Sequence, residues 1–191
     1  NDYGQNGIVG GWATFTGTQV GGGVDWLYAN TANTTAAGGN MAYPYYQADN
    51  NPANWGMSVS NGNVLVGLPN GNPSTISIAS STTINSLKLT NGGPVTVNIA
   101  GGQSLTLASG GLLVPLAAIY LDSINGGTLL GAAGQDLVVL NQNSTAASSL
   151  TIGSVIANNG GATGLTTGGG GKTILTGNNT YTGPTHINNG F

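Results

Sequence analysis

Residues Asn158 to Phe191 read NNGGATGLTTGGGGKTILTGNNTYTGPTHINNGF. A short apolar strand, Thr173 to Leu175, stands between two turns, and a second strand, Tyr181 to Ile187, precedes a third turn. The stretch carries one lysine, one histidine and no carboxylate. A strand unit this short cannot bury its own apolar face, so it must stack on other units.

The whole chain has 191 residues, enough for one domain with a sizeable core. Hydrophobic residues make up 39%, which argues against disorder. Charged residues make up only 4%, against about 25% in ordinary globular proteins. The charges are five aspartates and two lysines, Lys88 and Lys172, with neither Glu nor Arg. No cationic patch is available to displace counterions from phosphates, which excludes nucleic acid and an anionic membrane surface as partners. A net charge of −3 gives weak self-repulsion and favours association. Few ionisable groups also predict a stability that varies little between about pH 3 and 9.

Cysteine is absent, so there is neither a disulfide framework nor a thiolate metal site. The longest apolar run, Leu112 to Leu121, is broken by Pro115 and is too short to span a membrane as a helix. The sequence starts at Asn1 without a signal-peptide pattern, which fits a processed protein or a segment of a longer one.

Gly, Asn, Thr and Ser dominate and helix formers are scarce, so strands are expected. From Met57 onward apolar residues alternate: Val64 and Val66; Ile76 and Ile78; Leu87 and Leu89; Val95, Val97 and Ile99; Leu105 and Leu107; Leu137 and Val139; Leu150 and Ile152. This is the period of half-buried strands. Glycine pairs at 92–93, 101–102, 110–111 and 126–127 mark tight corners. Two architectures suit short strands with glycine corners: an antiparallel β-sandwich, or a parallel β-helix whose coils stack. We favour the β-helix, because Asn and Thr recur where like residues can stack in ladders, and stacked charges would repel. At roughly 20 residues per coil, residues 57–191 would give about six or seven coils and a solenoid on the order of 30 Å long.

The first third differs. It holds Tyr3, Trp12, Phe15, Trp26, Tyr28, Tyr43, Tyr45, Tyr46 and Trp55, nine of the twelve aromatics. Ile8 to Thr16 and Val24 to Tyr28 read as two strands around Gly21-Gly22-Gly23, and Asn30 to Asn54 as a long loop. Residues 1–56 are therefore expected to form a head or cap on the solenoid of 57–191. Its rings either plug the solenoid end, contact a neighbour or stack on sugars. The candidate contact residues are Trp12, Trp26, Tyr28, Tyr43, Tyr45, Tyr46 and Trp55 in the head, with Tyr181 and Phe191 at the other end.

The segment GKTILTGNNTYTGPTHINNGF resembles the autotransporter-associated β-strand repeat through Gly171, Leu175, Gly177, Asn179, Thr180, Tyr181, Thr182, Gly183, Thr185, Ile187 and Gly190. Thr173 stands where that repeat has an apolar residue, and Pro184 where it has Gly. The stretches IVGGWATF, TTINSLKL, GQDLVVLNQ and LTIGSVIANNGGATGL are also similar to large bacterial surface proteins that carry the repeat. The resemblance implies a right-handed parallel β-solenoid exported from a bacterium as a passenger, adhesin or surface fibre.

Catalytic motifs fare poorly. GGGGKT at 168–173 lacks the first Gly of a phosphate loop, because Thr166 holds that place, and a strand rather than a helix follows. His186 is the only histidine and sits on an ordinary strand, without a G-x-S-x-G elbow elsewhere. For glycoside cleavage only Asp122 and Asp136 could share neighbouring coils. An isolated ion at Asp25 or Asp136 is the one conceivable cation site, and the sequons at Asn33, Asn143 and Asn178 are expected by chance in this composition. No enzyme, metal or cofactor is therefore expected. The expected function is an extracellular structural solenoid that joins end to end into a fibre or sheath, with the joint at Phe191 and copies of itself as partners. The alternative is an adhesin passenger that grips a glycan or host surface through the aromatic head, and a third is a polysaccharide-active enzyme.

Overall fold

The computed structural model describes residues 50–52, 62–67, 72–89, 92–116 and 119–190, with strand backbone at 14–16, 24–26, 28–29, 41–42 and 47–48. Five short strands come first: β1 (Thr14–Thr16), β2 (Val24–Trp26), β3 (Tyr28–Ala29), β4 (Met41–Ala42) and β5 (Gln47–Ala48). Then follow β6 (Asn63–Val66), β7 (Ser74–Ile78), β8 (Thr82–Leu89) and the long β9 (Val95–Val114). The remainder are β10 (Leu121–Leu130), β11 (Leu137–Asn141), β12 (Ser149–Ile152), β13 (Val155–Ala157), β14 (Leu165–Gly168), β15 (Thr173–Leu175) and β16 (Thr185–Ile187).

Strands β5 to β16 form one twelve-stranded assembly in which every pairing is parallel. That rules out the antiparallel sandwich and establishes a β-solenoid. Among the described residues, β1–β2 and β3–β4 alone pair antiparallel. The strands β1 and β2 flank Gly21-Gly22-Gly23 as the sequence led us to expect. The expected long loop over Asn30–Asn54 is corrected: it contains β4 and β5, and β5 pairs in parallel with β6. The rest of the proposed cap at residues 1–56 lies largely outside the described residues.

Each coil has three sides. Face A is built by β7, the start of β9, the start of β10, β12 and β15. Face B takes the start of β8, the middle of β9, the end of β10, and β13. Face C takes β5, β6, the end of β8, the end of β9, β11, β14 and β16. β9 alone turns two corners, at 101–102 and 110–111, where Gly102 and Gly110 adopt φ of 74° and 76°. The glycine pairs at 92–93, 101–102 and 110–111 stand nine residues apart, which is the length of one side. Ser123 stacks on Thr96, 27 positions earlier. The expected coil of roughly 20 residues is therefore too short for the middle of the stack, and the solenoid has about four turns rather than six or seven. At the spacing of adjacent strands this makes it roughly 20 Å long.

Period-2 alternation puts one set of residues inside. Every alternating apolar residue read from the sequence is buried, and all of them join one core cluster. Inward columns run from coil to coil, as in Ile76–Val97–Ile124–Ile152 on face A and Val64–Leu87–Leu112–Val139 on face C. Burying a side chain of this size contributes about 1.5–3 kcal/mol, so the columns supply the main force for stacking. Asparagines tie the corners. Asn158 Oδ1 accepts from the N–H of Thr163 (3.0 Å) and of Thr182 (2.9 Å), and Asn159 Nδ2 donates to Gly131 O at 2.8 Å. The expected Asn-on-Asn stacking occurs where Asn85 Nδ2 donates to Asn63 Oδ1 at 2.7 Å. Among the described residues no helix is long and apolar enough to cross a membrane.

Candidate functional site

The lysine–glycine run is a corner of the solenoid. Gly169 and Gly171 lie against the backbone and side chain of Asn141 in the coil before, so closely that a Cβ would collide with Asn141 at either position. Asn141 Nδ2 in turn donates to Lys172 O at 2.9 Å. The strand β15 follows, which leaves no helix N-terminus to meet a phosphate.

The signature residues of the last coil also have structural work. Gly177 packs onto the backbone of Gly153 and Ser154, and Gly183 onto that of Thr163 and Gly164, which leaves no room for a side chain. Asn179 Oδ1 accepts from the N–H of Ile156 at 2.9 Å. Tyr181 packs half-buried against the core, and its hydroxyl pairs with Thr185 Oγ1 at 2.7 Å. His186 is exposed on β16, stacked on Thr166.

The other contact candidates divide by position. Trp26 and Tyr28 lie in β2 and β3, while Trp12, Tyr43, Tyr45, Tyr46, Trp55 and Phe191 lie outside the described residues. Of the sequons, Asn143 is buried, Asn178 is exposed, and Asn33 lies outside the described residues.

Asp122 and Asp136 fall on one coil, not on neighbouring ones, and on different sides of it. Asp122 is in the face A part of β10, and Asp136 immediately precedes β11 on face C. Asp122 points inward, 3% exposed, between Val95 and Leu150 in neighbouring coils. Its Oδ1 accepts from the N–H of Val95 at 2.8 Å. Burial pushes its carboxyl up from 3.8 to about 6, against the pull of that backbone hydrogen bond. The expected flat pH profile is corrected on this account. Asp136 instead accepts from Thr166 Oγ1 at 2.6 Å. A carboxylate sealed inside the core and another on a different side do not form a pair flanking a substrate. Among the described residues no three His, Asp or Glu side chains cluster to hold a metal.

Among the described residues two exposed features stand out. At the C-terminal end an apolar mouth is lined by Leu165, Thr167, Gly171, Thr173, Leu175 and Ile187. Leu175 and Ile187 continue inward columns that are buried in the middle of the stack, yet they are 37% and 72% exposed. The outer side of face A is the second feature. Thr75, Thr96, Ser123 and Thr151 stack in one outward column, and Ser77, Asn98 and Asn125 in the next. Ser123 Oγ donates to Thr96 Oγ1 at 3.3 Å, and Asn125 Nδ2 to Ser123 Oγ at 3.1 Å. Sequence reasoning expected Asn and Thr ladders but did not place these columns. Their signal was Thr-x-Ser, Thr-x-Asn and Ser-x-Asn at 75–77, 96–98 and 123–125, each around a buried residue.

The chain is 30% identical over 200 aligned residues to the adhesin BmaC autotransporter of Brucella suis biovar 1 (strain 1330). The alignment covers 96% of this chain but 5% of that protein, so the chain spans about one-twentieth of the length of the curated relative it matches. No family model matches the sequence. No solved structure matches it either. The likeness and the stacked parallel strands together fit an autotransporter-type β-solenoid.

Proposed function

We propose that this chain is a non-enzymatic structural segment of a bacterial surface or secreted adhesin, a solenoid that stacks end to end on further coils or copies. Residues 158–191 act as a repeat of the autotransporter-associated type within that stack. The observation that carries the reading is the stack itself: every pairing between coils is parallel, and inward columns run from coil to coil as far as Leu175 and Ile187. Each coil thus offers the next a row of backbone donors and acceptors beside an apolar column. Head-to-tail pairing that does not close gives a filament. The near-absence of charge removes the repulsion that would oppose it.

The test is the association state of the purified chain by light scattering, with negative-stain microscopy. Concentration-dependent growth is expected, and Ile187→Lys should suppress it by placing a charge in the joint. A monodisperse monomer at high concentration without fibres would overturn the stacking.

The second reading, an adhesin passenger gripping a glycan through the aromatic head, has the adhesin name of the relative in its favour. Glycan-array binding that disappears on Trp26→Ala or Tyr45→Ala would place the grip there.

A further inference from the structure

The geometry points to the outer side of face A as a binding site for a neutral, extended polysaccharide lying along the solenoid axis, with one sugar ring per coil. The site rests on the surface-adhesin reading for its access to such a polymer.

Consider what the two outward columns offer. Thr75, Ser77 and Asn98 are exposed, and Thr96, Ser123 and Asn125 are half-buried, so the ladder faces solvent. Thr96, Ser123 and Asn125 use part of their hydrogen-bonding capacity on each other, and what remains at each rung both donates and accepts, which suits a polyol. The rungs repeat at about 4.8 Å, the separation of hydrogen-bonded strands. That repeat is close to the advance of one pyranose ring in an extended chain, so a polymer can meet equivalent groups at successive coils. Weak contacts repeated along one rigid surface add without a fresh ordering cost at each step.

The charge pattern selects the class of polymer. Neither column holds a charged side chain; the first passes from Thr151 to Ile174 at its last rung, which Lys172 flanks. A polyanionic polysaccharide would find no cationic row to neutralise it, whereas a neutral one has nothing to desolvate beyond hydroxyls. Beside the first column stands Leu121, 64% exposed and two residues before Ser123 on the same side of the strand. It supplies an apolar surface for the C–H face of a ring. On face B the polar pattern is shorter: one outward column passes from Thr83 and Thr106 to Leu130 and Ala157, and the other from Ser104 and Thr128 to Val155.

Retention of the full chain on microcrystalline cellulose tests the site, with alginate as the polyanionic control. Retention on cellulose is expected, and not on alginate. The doubles Thr96→Ala/Ser123→Ala and Asn98→Ala/Asn125→Ala should each weaken it at least about tenfold, while Thr106→Ala on face B leaves it unchanged. Circular dichroism and melting confirm that each variant is folded. Failure of the folded native chain to bind cellulose overturns the site, as does binding that both doubles leave intact. Inhibition of ice growth without cellulose retention also overturns it, and assigns the ladder to an ice lattice. A monomer that binds cellulose through face A defeats end-to-end stacking and leaves this site standing. Fibres that ignore cellulose do the reverse.

Discussion

Faces A and C share one core and differ on the outside. On face A the outward columns are Thr, Ser and Asn, open to solvent. On face C one outward column runs Leu65–Lys88–Leu113–Leu140, and Val138 stands in the next. Leu113 and Val138 are buried there in a second apolar cluster, with Leu140 packed against it. The inward columns of both faces are equally dry. Because successive side chains leave a strand on opposite sides, the inner set can fix the stack while the outer set varies freely. The lesson is that coil stacking and surface recognition are specified by alternate residues of the same strands. Substitutions one position apart should therefore separate them.

The largest effect should come from the inner set. Leu112→Ala empties a wholly buried position in the face C column between Leu87 and Val139, and should cost about 2–5 kcal/mol in denaturant unfolding. Its neighbour Leu113 is also buried, but outside the main core. Leu113→Ala should cost less, about 2 kcal/mol, since the smaller cluster leaves a smaller cavity. Equal losses at 112 and 113 would mean that the outer side of face C is as much a core as the inside.

Between these two in size is the effect of pH on face A. Asp122 has a carboxyl raised by burial to about 6 in the folded state, against 3.8 unfolded. The folded chain thus binds the proton more tightly than the unfolded chain. The resulting stability is fully present below about pH 4 and is lost as pH rises through 6. Over that window the loss should reach about 3 kcal/mol. Melting should therefore fall between pH 4 and 8, and Asp122→Asn should flatten the profile. A melting temperature that rises over the same range would show that the hydrogen bond from Val95, not burial, governs this carboxyl.

Much of the fold was legible because its signal is periodic. Val64 through Ile152 alternate strictly, and each such residue proved buried. The corners were visible too, but nine residues between the first three glycine pairs do not say how many sides a coil has. Nothing in a single sequence says which strands lie side by side, so the coil was read short. Gln47-Ala48 was read as loop because two residues show no period. Asp122 was harder. Its position two before Ile124 marks it as inward, but its polarity argues outward, and only the stacking of Val95 and Leu150 on either side decides the conflict. The face A ladder was expected in kind but not placed, for a related reason. Thr, Ser and Asn are so frequent here that a column of them stands out only once coils 21 and 27 residues long are aligned.

The smallest expected effect is the sharpest check on the separation of inner from outer residues. Thr75 is exposed on the first rung of the face A ladder, and its neighbours in sequence, Ser74 and Ile76, point inward and are buried. Thr75→Ala removes a hydroxyl that solvent already satisfies and leaves both neighbours in place. It should shift unfolding by less than about 0.5 kcal/mol. Ile76→Ala, one residue on, should cost several times more, because it opens a hole in a column of four isoleucine and valine side chains. If Thr75→Ala instead destabilised the chain by more than about 1 kcal/mol, the outer ladder would itself be holding coils together. Its hydroxyls would then be committed to each other beyond the bonds that Ser123 and Asn125 already make, leaving less for a sugar, and both the contrast with face C and the proposed site would weaken together.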